Sequence, residues 1–150
     1  MSSSKGRILC TEDDPDTAEL LTLSLEMAGY EVTCSHSAEE AVEQVRSGEF
    51  DLCLMDNWMP GISGEDLCVK IREFDKKTPI LFYSGAAYDS DKVRARDAGA
   101  QGYLVKPVRE SELVAEIVRI IAEAKLAFPV AVVPPDHSEP IKLKPDEDLI

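Results

Sequence analysis

The sequence has few features of an exported, membrane-bound or nucleic-acid-binding protein. No apolar run is long enough to cross a bilayer, and the first residues, Met1 to Arg7, lack the apolar stretch of a signal peptide. Basic residues are scarce, with 16 Lys and Arg against 29 Asp and Glu and a formal net charge of −13. Because phosphate contacts require Lys and Arg, we expect neither direct nucleic acid binding nor attachment to an anionic membrane surface. A cytoplasmic location is the default expectation.

Cysteine and histidine are too sparse for a zinc site or a disulfide framework. None of the four cysteines forms a CxxC pair, and neither histidine lies at the spacing of a metal ligand. Three of the cysteines fall within apolar, strand-like runs, which is typical of small buried thiols. We therefore predict free cysteines and interpret the histidines as surface residues. These residues are Cys10, Cys34, Cys53, Cys68, His36 and His137.

The composition of the chain changes near residue 126. At 150 residues, of which 44% are hydrophobic, the chain can form one domain with a full core. Five of the nine prolines follow residue 126, in a segment that also carries acidic residues. We predict one domain over residues 6–126 and a proline-rich acidic tail or linker over residues 127–150, without regular structure.

Within the predicted domain, short apolar runs alternate with amphipathic segments. The predicted strands cover residues 7–10, 31–35, 51–55, 80–83 and 101–105. The predicted helices cover about 15–28, 38–47, 65–74, 89–98 and 110–126. This alternation predicts an α/β fold, a parallel sheet with helices on both faces. Among the few topologies that right-handed crossovers allow, we expect a flavodoxin-like, doubly wound, five-stranded sheet in the order 2-1-3-4-5 with five helices.

Polar side chains follow four of the predicted strands at the point where each strand ends. Glu12 and Asp13 follow the first strand, Asp56 the third, Ser84 the fourth and Lys106 the fifth. In open parallel sheets, sites form outside the carboxyl ends of the strands, at the switch point of the strand order. In the order 2-1-3-4-5 this point lies between strands 1 and 3, so we expect these five side chains to converge.

Three converging carboxylates repel one another, and a hard divalent cation would offset this repulsion. Magnesium prefers one or two carboxylates together with water and a substrate oxygen. With the metal in place, one carboxylate can act as a nucleophile toward phosphorus and form an aspartyl phosphate. Lys106 would supply a positive charge, and Ser84 a hydroxyl donor.

Each of these signals also has an ordinary interpretation when it is taken alone. The run Glu12-Asp13-Asp14-Pro15 fits the start of a helix, with Asp14 as the N-cap, about as well as it fits a metal site. A single Ser84 or Lys106 carries little information. The occurrence of all these groups at matching strand ends favours a common site.

Four stretches together make the chain recognisable over about residues 6–126. It resembles the receiver domain of bacterial two-component response regulators, the CheY-like proteins. The stretches that carry the resemblance are ILCTEDD from Ile8, DLCLMDNWMPGISG from Asp51, PILFYSGA from Pro79 and AGAQGYLVKP from Ala98.

The resemblance implies a magnesium-dependent phosphoacceptor. Asp56 matches the residue that accepts a phosphoryl group from a histidine kinase, a phosphotransfer protein or a small phosphodonor. Glu12 and Asp13 match the family's acidic pair, with Asp13 the more direct magnesium ligand. The backbone carbonyl of Trp58 matches a further protein ligand of the metal.

The resemblance also implies a conformational switch. Ser84 matches the hydroxyl residue that moves toward the phosphoryl group, Lys106 the lysine that pairs with it, and Tyr103 the aromatic residue that rotates inward. The surface formed by helix 4, strand 5 and helix 5 would then change and control a partner or an output domain. Residues 85–98 have little apolar anchoring, which favours such a change.

Some positions depart from the family pattern. Glu12 replaces the commoner aspartate, and Asn57 stands where an aliphatic residue is usual. Trp58 and Ala86 occupy positions that influence the lifetime of the phosphoryl group. Arg109 stands where a helix N-cap is usual, so we expect helix 5 to begin nearer Ser111.

Three functions compete on this sequence. The leading one is a regulatory phosphoacceptor whose only chemistry is its own phosphorylation and dephosphorylation. The second is a magnesium-dependent phosphatase or phosphotransferase that works through an aspartyl phosphate. Enzymes of the haloacid-dehalogenase type place a second Asp two residues after the nucleophile, and here that residue is Trp58. The third is a receiver-like domain that binds partners without phosphorylation. The chain would act alone, as a homodimer through the helix 4 to helix 5 surface, or as part of a longer regulator.

Overall fold

A five-stranded parallel sheet with helices on both faces forms the centre of the protein. The computed structural model describes residues 4–127. The strands are β1 (Arg7–Thr11), β2 (Glu31–Ser35), β3 (Leu52–Met55), β4 (Ile80–Ser84) and β5 (Gly102–Val105). The helices are α1 (Pro15–Met27), α2 (Ala38–Ser47), α3 (Gly64–Arg72), α4 (Asp89–Ala98) and α5 (Glu110–Ala127). The strand order is β2-β1-β3-β4-β5, which confirms the predicted flavodoxin-like fold.

Local signals explain where several helices begin and end. Asp14 caps α1, since its carboxylate accepts the N–H of Thr17 at 3.1 Å, and Pro15 occupies the first helical position. Ser37 caps α2 by accepting the N–H of Glu40 at 3.1 Å. Gly99, with φ of 119°, ends α4 in the left-handed conformation that glycine adopts most easily.

Two local features differ from the sequence-based prediction. A two-stranded antiparallel hairpin joins Trp58–Met59 to Ile62–Ser63 and was not predicted, because strands this short leave no periodic signal. The start of α5 agrees with the predicted range of about 110–126, but not with the later start near Ser111 that Arg109 suggested. The helix begins at Glu110, since the Arg109 carbonyl already accepts the N–H of Leu113 at 3.0 Å. The acidic first turn, with Glu110 and Glu112, favours this start through the helix dipole.

The core has one layer on each face of the sheet. The layer beneath α1 and α5 contains Ile8, Leu25, Leu54, Leu81, Ile117 and Ile120, among others. The layer beneath α2, α3 and α4 contains Leu9, Met55, Leu67, Ile71, Phe82 and Ala95, among others. Apolar side chains of β1, β3 and β4 point into both layers, which is why these strands read as continuous apolar runs.

The cysteines agree with the predicted free thiols. Cys10, Cys53 and Cys68 are buried and Cys34 is half-buried, and none forms a disulfide. Burial raises the pKa of Cys53 to about 12 and that of Cys68 to about 11, so both thiols are protonated at neutral pH.

Several expectations concern residues that the structure does not describe. The predicted tail and His137 lie outside residues 4–127, apart from Ala127, which ends α5. The boundary between domain and tail therefore stays a prediction. Across the helices of residues 4–127, none has both the length and the apolar character needed to cross a membrane.

Candidate functional site

The predicted site residues lie together at the carboxyl edge of the sheet. The parallel ladder continues one residue beyond the strands and fixes these positions. Asp56 N–H donates to the Thr11 carbonyl at 3.2 Å, and Lys106 N–H donates to the Ser84 carbonyl at 2.8 Å. Glu12 N–H donates to the last carbonyl of β2 at 3.2 Å. Backbone pairing therefore brings residues from distant parts of the sequence to one edge.

Three carboxylates form an acidic cluster at this edge. Glu12, Asp13 and Asp56 each offer an oxygen, and these three oxygens lie within 4.8 Å of one another. Glu12 is only 2% exposed, whereas Asp13 is exposed and Asp56 is half-buried. The cluster is thus open on the side of Asp13, where an ion or a ligand can enter.

Lys106 is the cation that faces this cluster. Its Nζ lies 3.4 Å from Glu12 Oε1 and 3.6 Å from Asp56 Oδ2. Burial lowers the pKa of Lys106, but the charges of Asp56 and Glu12 outweigh burial and raise the pKa overall. The lysine is therefore charged at neutral pH. The Lys106–Pro107 peptide bond is cis.

One lysine does not neutralise the three carboxylates, which leave a formal charge of −2. Burial is the largest cause that raises the pKa of Glu12, and the nearby Asp56 charge adds to it. Ionised Glu12 is therefore less favourable in the folded than in the unfolded chain. Above its folded pKa, Glu12 lowers the free energy of unfolding, and a bound divalent cation would offset this cost.

Ser84 and Tyr103 are connected through the backbone of Ala86. Ser84 Oγ accepts the N–H of Ala86 at 3.1 Å, and the Tyr103 hydroxyl donates to the Ala86 carbonyl at 2.8 Å. The Tyr103 ring stacks on Phe82 with 5.7 Å between ring centroids. The segment after β4 is thus held by the two residues for which the family resemblance implies a switch role.

Trp58 contacts Asp56 with its backbone and not with its indole ring. The Trp58 N–H donates to Asp56 Oδ1 at 3.3 Å, and the indole is 72% exposed. The expected role of its carbonyl as a metal ligand stays a prediction.

Two features of this region were missed by the sequence interpretation. Asn57 is only 7% exposed, and its Oδ1 is buried without a hydrogen-bond partner. The second feature is a pair of ionic contacts made by Arg94 of α4. Arg94 contacts Asp91 on the same helix and Glu65 on α3. The polar residue after Asp56, where an aliphatic residue is usual, was a signal for the buried Asn57. The Arg94 contacts left no such signal, because they depend on the packing of α3 against α4.

Gly64 allows α3 to start directly against the backbone of Asp56 and Asn57. A Cβ at this position would lie 2.9 Å from the backbone oxygen of Asp56 and 2.8 Å from the Phe82 ring. We expect Gly64→Ala to lower the free energy of unfolding by about 1–3 kcal/mol, because the backbone must shift. Chemical denaturation measures this change.

Gly85→Ala is the matched control for Gly64→Ala, since no atom lies within 4 Å of a Cβ at Gly85. It should change the free energy of unfolding by less than about 0.5 kcal/mol. Equal free energies of unfolding of the two variants would show that α3 does not pack closely against the backbone of Asp56 and Asn57.

Comparisons with known proteins agree with this geometry. The sequence profile of the response regulator receiver domain matches residues 8–118. VanR of Enterococcus faecium is 38% identical over 112 residues, 74% of this chain and 48% of that protein. The DNA-binding response regulator MtrA of Mycolicibacterium smegmatis is 34% identical over 117 residues, 78% of this chain and 51% of that protein. The chain spans about half the length of the curated relatives it matches.

Solved structures share the fold. The CheY-like receiver domain protein of Methanospirillum hungatei is 28% identical, with a TM-score of 0.77 over 84% of this chain and 99% of that one. The receiver domain of the histidine kinase PA1611 of Pseudomonas aeruginosa is 28% identical, with a TM-score of 0.73 over 78% of this chain and 98% of that one. That structure has a magnesium ion in its active site cleft. From its sequence, its fold and the arrangement of its strand-end residues, the chain belongs to the response regulator receiver domain family.

Proposed function

We propose that the chain is a phosphorylation-controlled signalling switch that accepts a phosphoryl group on Asp56. The observation that carries this proposal is the position of Lys106, within 3.6 Å of Asp56 and 3.4 Å of Glu12. A carboxylate that faces both a fixed cation and further carboxylates is suited to phosphoryl transfer, in which charge develops on the transferred oxygens.

The acidic cluster fits a magnesium ion. Its donors are oxygens only, its formal charge with Lys106 is −2, and it is open beside Asp13. Asp13 and Asp56 would hold the ion directly, with Glu12 and the Trp58 carbonyl as further ligands. When bound, the ion would neutralise negative charge on the carboxylates and on the incoming phosphoryl oxygens.

The residues of the chain have separate roles in the transfer. An Asp56 oxygen forms the new bond to phosphorus while the bond between phosphorus and the donor's nitrogen or oxygen breaks, and the donor leaves with that electron pair. Lys106 stabilises the charge of the phosphoryl oxygens and keeps the side chain of Asp56 in place. The Trp58 N–H orients Asp56 through its hydrogen bond to Oδ1.

The response would pass from Asp56 to Ala86. Ser84 would turn its hydroxyl toward the phosphoryl group, and Ala86 N–H would lose its present acceptor. Tyr103, whose hydroxyl donates to the Ala86 carbonyl, would move with this segment. The surface of α4, β5 and α5 would then differ between the two states.

A sensor histidine kinase or a histidine phosphotransfer protein would donate the phosphoryl group. A protein partner or an output domain would respond to the switched surface. The chain would act as a regulator and not as an enzyme on other molecules. A phosphatase of the aspartyl-phosphate type is disfavoured, because position 58 carries an exposed indole where an acid or base is required. A homodimer through α4, β5 and α5 stays a prediction.

The switch is tested by hydrogen–deuterium exchange with and without magnesium and a small acyl phosphate. In the native chain, we expect phosphorylation to change exchange in residues 85–98. In Ser84→Ala, the phosphoryl group should still be added, as intact mass measures, but the change in residues 85–98 should be largely lost.

Ser47→Ala is the control for this experiment, since Ser47 is exposed on α2 and its hydroxyl bonds only the Glu43 carbonyl. It should respond as the native chain does. If phosphorylated Ser84→Ala shows the full native change, Ser84 does not transmit the signal.

A further inference from the structure

A cavity of about 690 Å³ lies beside the phosphoacceptor, between α3 and α4. Its walls come from the hairpin, the first turn of α3, the segment after β4 and the first turns of α4. The lining residues that bear on its chemistry are Asn57, Trp58, Glu65, Tyr88, Asp91 and Arg94. The proposed phosphotransfer uses Trp58 only through its backbone and none of the other five.

Two residues that line this cavity carry buried acceptor oxygens that make no hydrogen bond. Asn57 lines it, is only 7% exposed, and has an Oδ1 without a hydrogen-bond partner. Glu65 Oε2 also accepts no hydrogen bond, since Arg94 Nε lies 3.7 Å away. Buried acceptors without donors are costly. Both oxygens are screened from solvent. An occupant that donates N–H groups would offset this cost once the two side chains turn toward the cavity.

The charge of the cavity points to a cation. Arg94 is the only cation among its lining residues, and it is shared between the carboxylates of Asp91 and Glu65. Both carboxylates are mostly buried, whereas the Arg94 side chain is 56% exposed. Asp91 also accepts the N–H of Tyr88 at 3.1 Å. The charged residues that line the cavity nevertheless carry a net charge of −1, and burial makes uncompensated charge costly.

The rim of the cavity is aromatic and exposed. Trp58 is 72% exposed and Tyr88 is 78% exposed. Exposed aromatic side chains of this size are typical of protein–protein contacts, and their ring faces attract cations. A guanidinium combines planar N–H donors, a positive charge and stacking on aromatic rings.

From these contacts we propose that the cavity binds an arginine side chain presented by a partner protein. The guanidinium donates to Glu65 and Asn57, and the partner's chain covers Trp58 and Tyr88. The overall charge of −13 favours the approach of a basic partner.

Arginine binding at this cavity is coupled to phosphorylation of Asp56. This coupling rests on the proposed function. Ala86 lines the cavity and is held by Ser84 and Tyr103 in the present arrangement. Because the two proposed switch residues hold Ala86, a change of their contacts on phosphorylation also changes the cavity. Arginine binding and phosphorylation then affect each other reciprocally.

The test uses the full chain and N-acetyl-arginine amide as the probe, followed by the fluorescence of Trp58, the only tryptophan. We expect saturable binding with a Kd on the order of 1 mM. The citrulline analogue, which replaces the guanidinium by a neutral urea, should bind at least about tenfold more weakly. Absence of saturation, or equal binding of the two probes, overturns the proposal.

Matched variants place the probe in the cavity. Glu65→Gln should weaken binding about tenfold, while its exposed neighbour Asp66→Asn should not change it. Arg94→Gln removes the internal competitor and should tighten binding severalfold, while Arg96→Gln, also on α4, should not. A purely structural role of Arg94 predicts no tightening, and an unchanged Kd in Glu65→Gln overturns the site.

Two further experiments test whether the ligand is a protein side chain and whether its binding is coupled to phosphorylation. N-acetyl-agmatine carries the guanidinium and the same single positive charge without the arginine backbone, and tighter binding of N-acetyl-agmatine than of the arginine probe would overturn the partner side chain. With magnesium and a small acyl phosphate, we expect the Kd of the probe to change by at least about threefold. If intact mass shows no phosphoryl group, the proposed function fails while the binding arm still stands. If the chain is phosphorylated and the Kd is unchanged, the coupling fails.

Discussion

Asp56→Asn is expected to abolish phosphorylation of the chain by a small acyl phosphate. Asparagine has no nucleophilic carboxylate oxygen, so no acyl phosphate can form. The native chain should gain the mass of one phosphoryl group in the presence of magnesium, and the variant should gain none. Intact-mass spectrometry measures both, and thermal unfolding verifies that the variant is folded.

The fold of this variant should survive, because Asp56 lies in a cluster of like charges. Removing one of the three carboxylates relieves repulsion, and Lys106 keeps Glu12 as a partner at 3.4 Å. Asp89→Asn, an exposed position at the start of α4, is the control and should be phosphorylated like the native chain. A phosphoryl adduct on Asp56→Asn would place the acceptor elsewhere.

Magnesium is expected to raise the Tm of the native chain, and Asp13→Asn should lose most of this effect. Binding to the folded state alone stabilises it by about 2.7 kcal/mol at a ligand concentration one hundred times the Kd. For a chain of this size, that corresponds to a Tm increase of roughly 5–10 °C. Asp13 is the exposed carboxylate at the open side of the cluster, so its loss removes the most accessible ligand.

Asp16→Asn removes the same charge from the exposed first turn of α1 and serves as the control. It should keep the full magnesium shift, which scanning calorimetry measures. A full shift in Asp13→Asn would mean that the ion does not bind at this cluster.

The convergence of the site could be predicted from the sequence because parallel strands end at one edge. Asp56, Ser84 and Lys106 each follow a continuous apolar run, and such runs are typical of strands buried on both faces. The strand order then places their ends side by side. Residue type and position were sufficient to predict this convergence, since backbone hydrogen bonds hold Asp56 and Lys106 at the ends of neighbouring strands.

Side-chain pairing could not be predicted in the same way. That Lys106 contacts Glu12 as well as Asp56 depends on rotamers, and the contact of Arg94 with Glu65 depends on how α3 packs against α4. The burial of Asn57 follows from the hairpin after Asp56, which has only two residues in each strand. Elements this short carry no hydrophobic period, so the sequence does not reveal them.

Chemical mapping of the acyl phosphate proposed on Asp56 tests the switch most directly. Borohydride reduces an acyl phosphate to an alcohol, so phosphorylated Asp56 would become homoserine. After incubation with magnesium and a small acyl phosphate, reduction and proteolysis, the peptide that contains position 56 should carry homoserine at that position. Unmodified aspartate at position 56, or homoserine at Asp13 instead, would contradict the account.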